Sequence, residues 1–281
     1  MESIPPTVGA PQPGWLARLN PLLRGLGPAL LLMFGTQKTL RRHSGRPLGR
    51  LWLYLGLTGA AWGIVLCGGW EIAWRIFPRW WPYASSLPLM PTLAVLSLIF
   101  LTPLRSPITA LVNLAGRRRP GDRAVLAAAL VCLLALGLLG ASPWRRESIW
   151  LPAFLVWIRP LEESRVLLLM PMWGAWAMMT PAHFCPPAAD ASALVRAHLK
   201  LQPVAATAVW MAIPLAGTLW ELNFLWGWVA VPALLAMLTG SIASVLCCRL
   251  TGGASAATLR AGNALTQLAF FAGFLIAKSQ T

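Results

Sequence analysis

From Leu51 to Trp70 the chain carries no charged side chain, and comparable apolar runs separated by short basic stretches recur toward the C-terminus. A helix of roughly 20 apolar residues is what the hydrocarbon of a bilayer requires. The expected fold is therefore all-α: a polytopic integral membrane protein with about seven transmembrane helices, plus one or two short interfacial or re-entrant helices. Composition agrees. The chain is 57% hydrophobic and 11% charged, with a mean hydropathy of +0.65, which soluble domains do not usually reach.

In chain order, residues 1–21 carry five prolines and no apolar run, and read as a flexible Pro-rich tail rather than a signal peptide. Residues 22–281 then form a single transmembrane helical domain. Leu22 to Phe34 is apolar but short, and is expected to be a half-span or an interfacial helix. Leu51 to Trp70 spans, Glu71 to Ser86 forms an outer loop, and Leu87 to Leu104 returns. Ala124 to Ala141 and Val166 to Met179 are further crossings, while Ile149 to Ile158 is too short and is expected to lie re-entrant or in the interface. Val204 to Trp220 and Phe224 to Cys248 make a hairpin around Glu221, and Ala261 to Ala277 closes the chain.

The net charge of +15 comes from 23 Lys and Arg against 8 Asp and Glu. The basic residues sit in short loops, 37–50, 105–123 and 249–260, which the positive-inside bias assigns to the cytoplasm. The expected location is a bacterial inner membrane. The expected partners are the bilayer, anionic lipid head groups, and other membrane proteins or further copies of the chain. Nucleic acid is not expected, because the charge follows the topology. Many of the 16 Trp fall at segment ends, as an aromatic belt does. The five Cys do not form a disulfide framework, and His183 with Cys185 lacks a second ligand pair at zinc spacing.

Arg249 to Gly262 is a polar, glycine-bearing stretch between two apolar segments. Two readings stand beside each other. Gly252, Gly253, Ser255 and Thr258 could offer amides and hydroxyls to an anion, with Arg117, Arg118 and Arg119 supplying charge. Alternatively the stretch is a small-residue turn and the arginines anchor topology. The acids Glu2, Glu71, Asp122, Glu147, Glu162, Glu163, Asp190 and Glu221 are all placed in the tail, in loops or at segment edges. Glu221 reads as an exposed helix cap. No catalytic residue and no metal ligand set emerges from the residues themselves.

Arg249 to Gln267, RLTGGASAATLRAGNALTQ, resembles the C-terminal signature of the adenosylcobinamide-GDP ribazoletransferase (cobalamin-5'-phosphate synthase) family, roughly G-G-x-T-G-D-x-x-G-A followed by a glutamate. Gly252 and Gly253 match, Ser255 replaces threonine, Ala257 stands at the aspartate and Gln267 at the glutamate. Tyr54 to Gly63 is similar to the family's Y-F-P-L-V-G-x-x-x-G helix, and Gly174 to Met178 to its S-R-W-A-M element, with Ala175 at the arginine. Thr102 to Gly116 occupies the place of an acidic loop, with Ser106, Ile108, Val112 and Ala115 at its histidine and three aspartates.

The resemblance implies a magnesium-dependent joining of adenosylcobinamide-GDP to α-ribazole phosphate. Ile, Val and Ala cannot ligate a hard cation, so the transfer lacks its counter-ion. The expectation is a non-catalytic pseudoenzyme without a cofactor, serving as scaffold or subunit of a membrane complex; Mg²⁺ is expected only if the family activity is retained. The alternatives are an active ribazoletransferase of cobalamin biosynthesis, and a small transporter or accessory membrane subunit.

Overall fold

The structure is a computed structural model that describes residues 26–35, 50–80, 89–101, 105–115, 121–140 and 162–280. Among these residues the fold is all-helical, with no strand. In chain order the helices are α1 (26–34), α2 (Leu51–Trp80), α3 (Leu89–Leu101), α4 (Arg105–Ala115), α5 (Gly121–Gly140) and α6 (Glu162–Ala177). There follow α7 (Ala193–Leu201), α8 (Val204–Glu221), α9 (Ala230–Thr251) and α10 (Ala256–Ser279). Short 3₁₀ turns at Thr180–His183 and Asn223–Trp228 complete the order. Among the described residues four helical stretches are long and apolar enough to cross a membrane: Leu51–Ala73, Val204–Glu221, Ala230–Thr251 and Ala256–Ser279.

The centre is α10, which packs against α9, α4 and α6. Its inner face carries Phe270, Phe271 and Phe274, all buried, and Phe270 lies 6.2 Å from the ring of Trp173 on α6. Trp173 in turn stands edge-on to Trp176 at 5.7 Å. Its indole N–H donates to the Thr218 hydroxyl of α8 at 3.1 Å, so the buried ring has no orphaned donor.

The antiparallel pair α2 and α6 approaches closely because α2 presents Gly59 and Gly63 to it. A Cβ at Gly63 would stand 2.1 Å from the Leu168 carbonyl oxygen, and one at Gly59 would stand 2.8 Å from that of Pro171. Lipid offers helices no hydrophobic drive to associate, so small residues four apart, which let backbones touch, supply the packing instead.

Several expected boundaries move. The chain does not leave the membrane helix at Glu71, because α2 continues to Trp80 and Glu71 is buried within it. The Ser164 hydroxyl satisfies that carboxylate at 2.6 Å, so the charge ends no helix. Arg105 to Ala115 is a helix and not a loop: Ile108, Leu111 and Val112 make a stripe that packs on α10. The described part of the N-terminal apolar run, 26–34, packs into the bundle, with Ala29, Leu32 and Met33 buried. The short helix α7 is amphipathic: Leu194, Val195, His198 and Leu199 face inward and Arg196 and Lys200 outward. The stretch 249–260 contracts to a tight turn, with Arg249 on α9 and Arg260 buried on α10. Ile149 to Ile158, the tail 1–21 and Arg117, Arg118 and Arg119 lie outside the described residues.

Candidate functional site

The α9–α10 turn is built from two caps that meet. Gly252 closes α9 in the left-handed region at φ 74°, and Gly253 follows at φ 136°, conformations that favour glycine. Ser255 then opens α10 with a capping box, its side chain accepting from the Thr258 N–H. The structure thus brings Gly252, Gly253, Ser255 and Thr258 together, as their spacing in the sequence required.

Their amides are engaged by the fold. Gly253 N–H donates to the Cys248 carbonyl at 2.8 Å, Ala254 N–H to the Pro186 carbonyl at 2.7 Å, and Ser255 N–H to the Thr258 hydroxyl at 2.7 Å. Ala188 N–H returns a bond to the Ala254 carbonyl at 2.9 Å, which closes a parallel bridge between the 186–188 segment and the turn. Gly253 is needed for this close approach, since a Cβ there would stand 2.7 Å from the Ala188 nitrogen. Backbone amides that cradle an anion must point into open space; these point into their own chain. The geometry is that of a joint.

The concave site lies elsewhere, in the middle of the helices. A pocket, part of it open to the outside, is bounded by α1, α2, α3, α4, α5, α6 and α10. Its walls are apolar, from Met33, Trp62, Ile99, Ile108, Leu134 and Met170, and its polar lining is the pair Asn263 and Gln267 one turn apart on α10. Gln267 donates through Nε2 to the Asn263 amide oxygen, and Asn263 Nδ2 reaches the Met178 sulfur at 3.2 Å. Gly174 on α6 admits these amides, as a Cβ there would meet Asn263 Oδ1 at 2.5 Å.

Two positions singled out in the sequence meet here. Ile108 and Gln267, at an aspartate and the glutamate of the family pattern, line the same pocket. Val112 is buried one turn further along α4. These groups do not fit a magnesium ion: a hard cation takes several charged or strongly polar oxygens, and the pocket offers amides already bonded to each other. Among the described residues no three His, Cys, Asp or Glu side chains converge as a metal site.

Two polar clusters flank the core. At one end of the bundle Arg165, 4% exposed, bonds the Glu221 backbone carbonyl at 2.9 Å and approaches its carboxylate at 3.4 Å, near the Glu71–Ser164 pair. Glu221 is therefore an ion-pair partner and not an exposed cap. At the other end His198 on α7 bonds the Met178 carbonyl at 3.1 Å, and His183 bonds the Thr207 hydroxyl at 2.8 Å, which also accepts from Gln202 at 3.0 Å. A carbonyl only accepts, so His198 Nε2 carries the proton, and its Nδ1 is buried without a partner. Burial pushes the His198 imidazole down to about 4, with the bond to Met178 opposing and nearby His183 adding to the effect. Burial also lowers His183.

No family model matches the chain, and no curated protein and no solved structure matches it. The pocket therefore stands as the candidate site on its geometry.

Proposed function

We propose that this chain is a non-catalytic membrane protein with a ribazoletransferase-like layout. It crosses a bacterial inner membrane about seven times and serves as a scaffold or subunit of a membrane complex, its central pocket holding an uncharged, largely apolar ligand. Four of its helices, α2, α8, α9 and α10, contain stretches long and apolar enough to cross, which supports a multi-pass topology. The 178–203 segment and the α9–α10 turn then share the side that the basic residues assign to the cytoplasm.

The observation that carries the reading is the pocket shared by Ile108 and Gln267. A phosphoryl-type transfer needs a cation or preorganised donors where charge develops. A pocket with apolar walls and two amides can instead fit a neutral molecule and orient one hydroxyl or carbonyl on it.

The test uses the full chain in nanodiscs with adenosylcobinamide-GDP, α-ribazole phosphate and Mg²⁺, following cobalamin phosphate. The expected result is no turnover above an empty-disc control, and turnover would replace this reading with an active ribazoletransferase. Native mass spectrometry of the same preparation is expected to show a neutral adduct that Gln267→Leu weakens. Absence of any adduct at every lipid composition tried removes the ligand from the proposal.

A further inference from the structure

We propose that the central pocket selects an apolar alcohol, because a relay running from Met178 through Asn263 leaves the Gln267 amide oxygen as the pocket's acceptor. The inference deepens the ligand reading above and rests on it. A thioether sulfur only accepts, and Asn263 Nδ2 lies 3.2 Å from the Met178 sulfur, so the Asn263 amide turns its nitrogen to Met178. Its oxygen is left to face Gln267, one turn further along α10, where it accepts from Gln267 Nε2. The sense of the second amide follows from the first: nitrogen toward Asn263, Oε1 away from it. Gly174 keeps both amides in place, since a Cβ there would stand 2.5 Å from Asn263 Oδ1 and 2.6 Å from Gln267 Nε2. Among the described residues no donor meets Gln267 Oε1, and Gln267 is half-buried in the pocket lining.

An open acceptor decides which neutral group fits. The surrounding wall is apolar, with Trp62, Ile108, Met170 and Leu268 in the lining, so a ligand of matching character has an apolar body. An ammonium group would also donate to Oε1, but no carboxylate among the described residues lines the pocket to balance its charge. A ketone or ester carbonyl can take the remaining Nε2 hydrogen, yet it leaves Oε1 dehydrated and unpaired. An ether fails in the same way. A hydroxyl donates to Oε1 and keeps its own lone pairs for an N–H, so it satisfies the amide in both senses. Stranding the acceptor costs affinity by about tenfold, which sets the expected preference for the alcohol over its ether or ketone.

The experiment labels the full chain in nanodiscs with dodecanol carrying a mid-chain diazirine, then competes the label with dodecanol, its methyl ether and the matching methyl ketone. The expected result is labelled peptides carrying Trp62, Ile108 or Met170, displaced by dodecanol at about tenfold lower concentration than by either analogue. Gln267→Leu should remove that preference, and comparison with this variant cancels differences in partitioning between the competitors. Met178→Leu, a swap of similar volume, should shrink the preference without touching the pocket's acceptor, because Asn263 and Gln267 are then free to turn. An ether or ketone that competes as well as the alcohol overturns the inference and leaves a neutral ligand in the pocket. A preference that survives Gln267→Leu, or one that Met178→Leu leaves unchanged, overturns it as well. Absence of label from all three peptides removes the pocket ligand, and both readings fall together.

Discussion

Arg260 Nε donates to the Leu32 carbonyl at 2.8 Å, joining the second turn of α10 to the end of the N-terminal helix α1. Its Nη2 takes the neighbouring Leu31 carbonyl at 2.9 Å. The last carbonyls of a helix have no intrahelical donor, and a cation there also meets the negative end of the helix dipole. One guanidinium therefore completes α1 and pins it to the core. Arg260→Met should destabilise the protein by about 3 kcal/mol, since two charge-assisted bonds are lost and the Leu32 carbonyl loses its donor, while the Leu31 carbonyl keeps the bond from Gly35 N–H. Arg260→Lys should recover only part of this, as an ammonium lacks the fork that spans both oxygens. Thermal unfolding in detergent measures the loss, and faster proteolysis near residue 35 should accompany it.

The α2–α6 contact gives a graded prediction. Gly63→Ala places a methyl 2.1 Å from the Leu168 carbonyl oxygen, a backbone atom that cannot swing away. The helices must separate, at roughly 2–3 kcal/mol. Gly68→Ala on the same helix meets nothing within 4 Å and should be neutral or slightly stabilising, because alanine is the better helix former. Equal effects of the two substitutions would mean that the close approach is not what holds the pair.

Gly59 and Gly63 were legible as a matched pair in the sequence, and so was the glycine turn at 252–253, because small residues leave a local signature. The capping box at Ser255 was equally local, yet α10 was expected to start at Ala261. The apolar run begins there, while the cap reads only through Thr258, a less usual partner than Glu or Gln. What the sequence hid is pairing over long separations. Arg260 looked like a loop charge because its carbonyl partners are 228 and 229 residues away. Glu71 looked like a helix stop because its partner Ser164 lies 93 residues on. Asn263 gave the one signal not taken up: an amide one turn before Gln267, on the same face of an apolar helix, points into a shared space.

Arg165 tests the buried ion pair. Its side chain is 4% exposed, and it ties the start of α6 to the end of α8 through Glu221. Arg165→Met should destabilise by about 2–3 kcal/mol, because the Glu221 carboxylate, 26% exposed, loses its cation and the Glu221 carbonyl loses a charged donor. Adding Glu221→Gln to that variant should recover a measurable part, since the stranded charge is then gone. A double variant no better than the single one would show that the loss comes from the backbone bond to the Glu221 carbonyl rather than from charge. The pair of melting curves decides between them.

His198 sets a pH dependence whose sign follows from burial. Its folded-state value of about 4 lies below the ordinary 6.5, so the unfolded chain binds the extra proton first. The stabilisation is present above 6.5 and is lost as pH falls from 6.5 toward 4, amounting to about 3 kcal/mol if the ring stays fully buried. The groups that act on it are the Met178 carbonyl and His183, neither of which is an anion that could hold the charge. A gain of charge at His198 Nδ1 would find no acceptor there. The melting midpoint of the wild-type protein should therefore drop over that window. His198→Gln, whose amide can still donate to Met178, should flatten the drop while lowering the midpoint at pH 8 only slightly. An unchanged slope in His198→Gln would move the pH sensitivity to His183, whose half-exposed ring bonds Thr207.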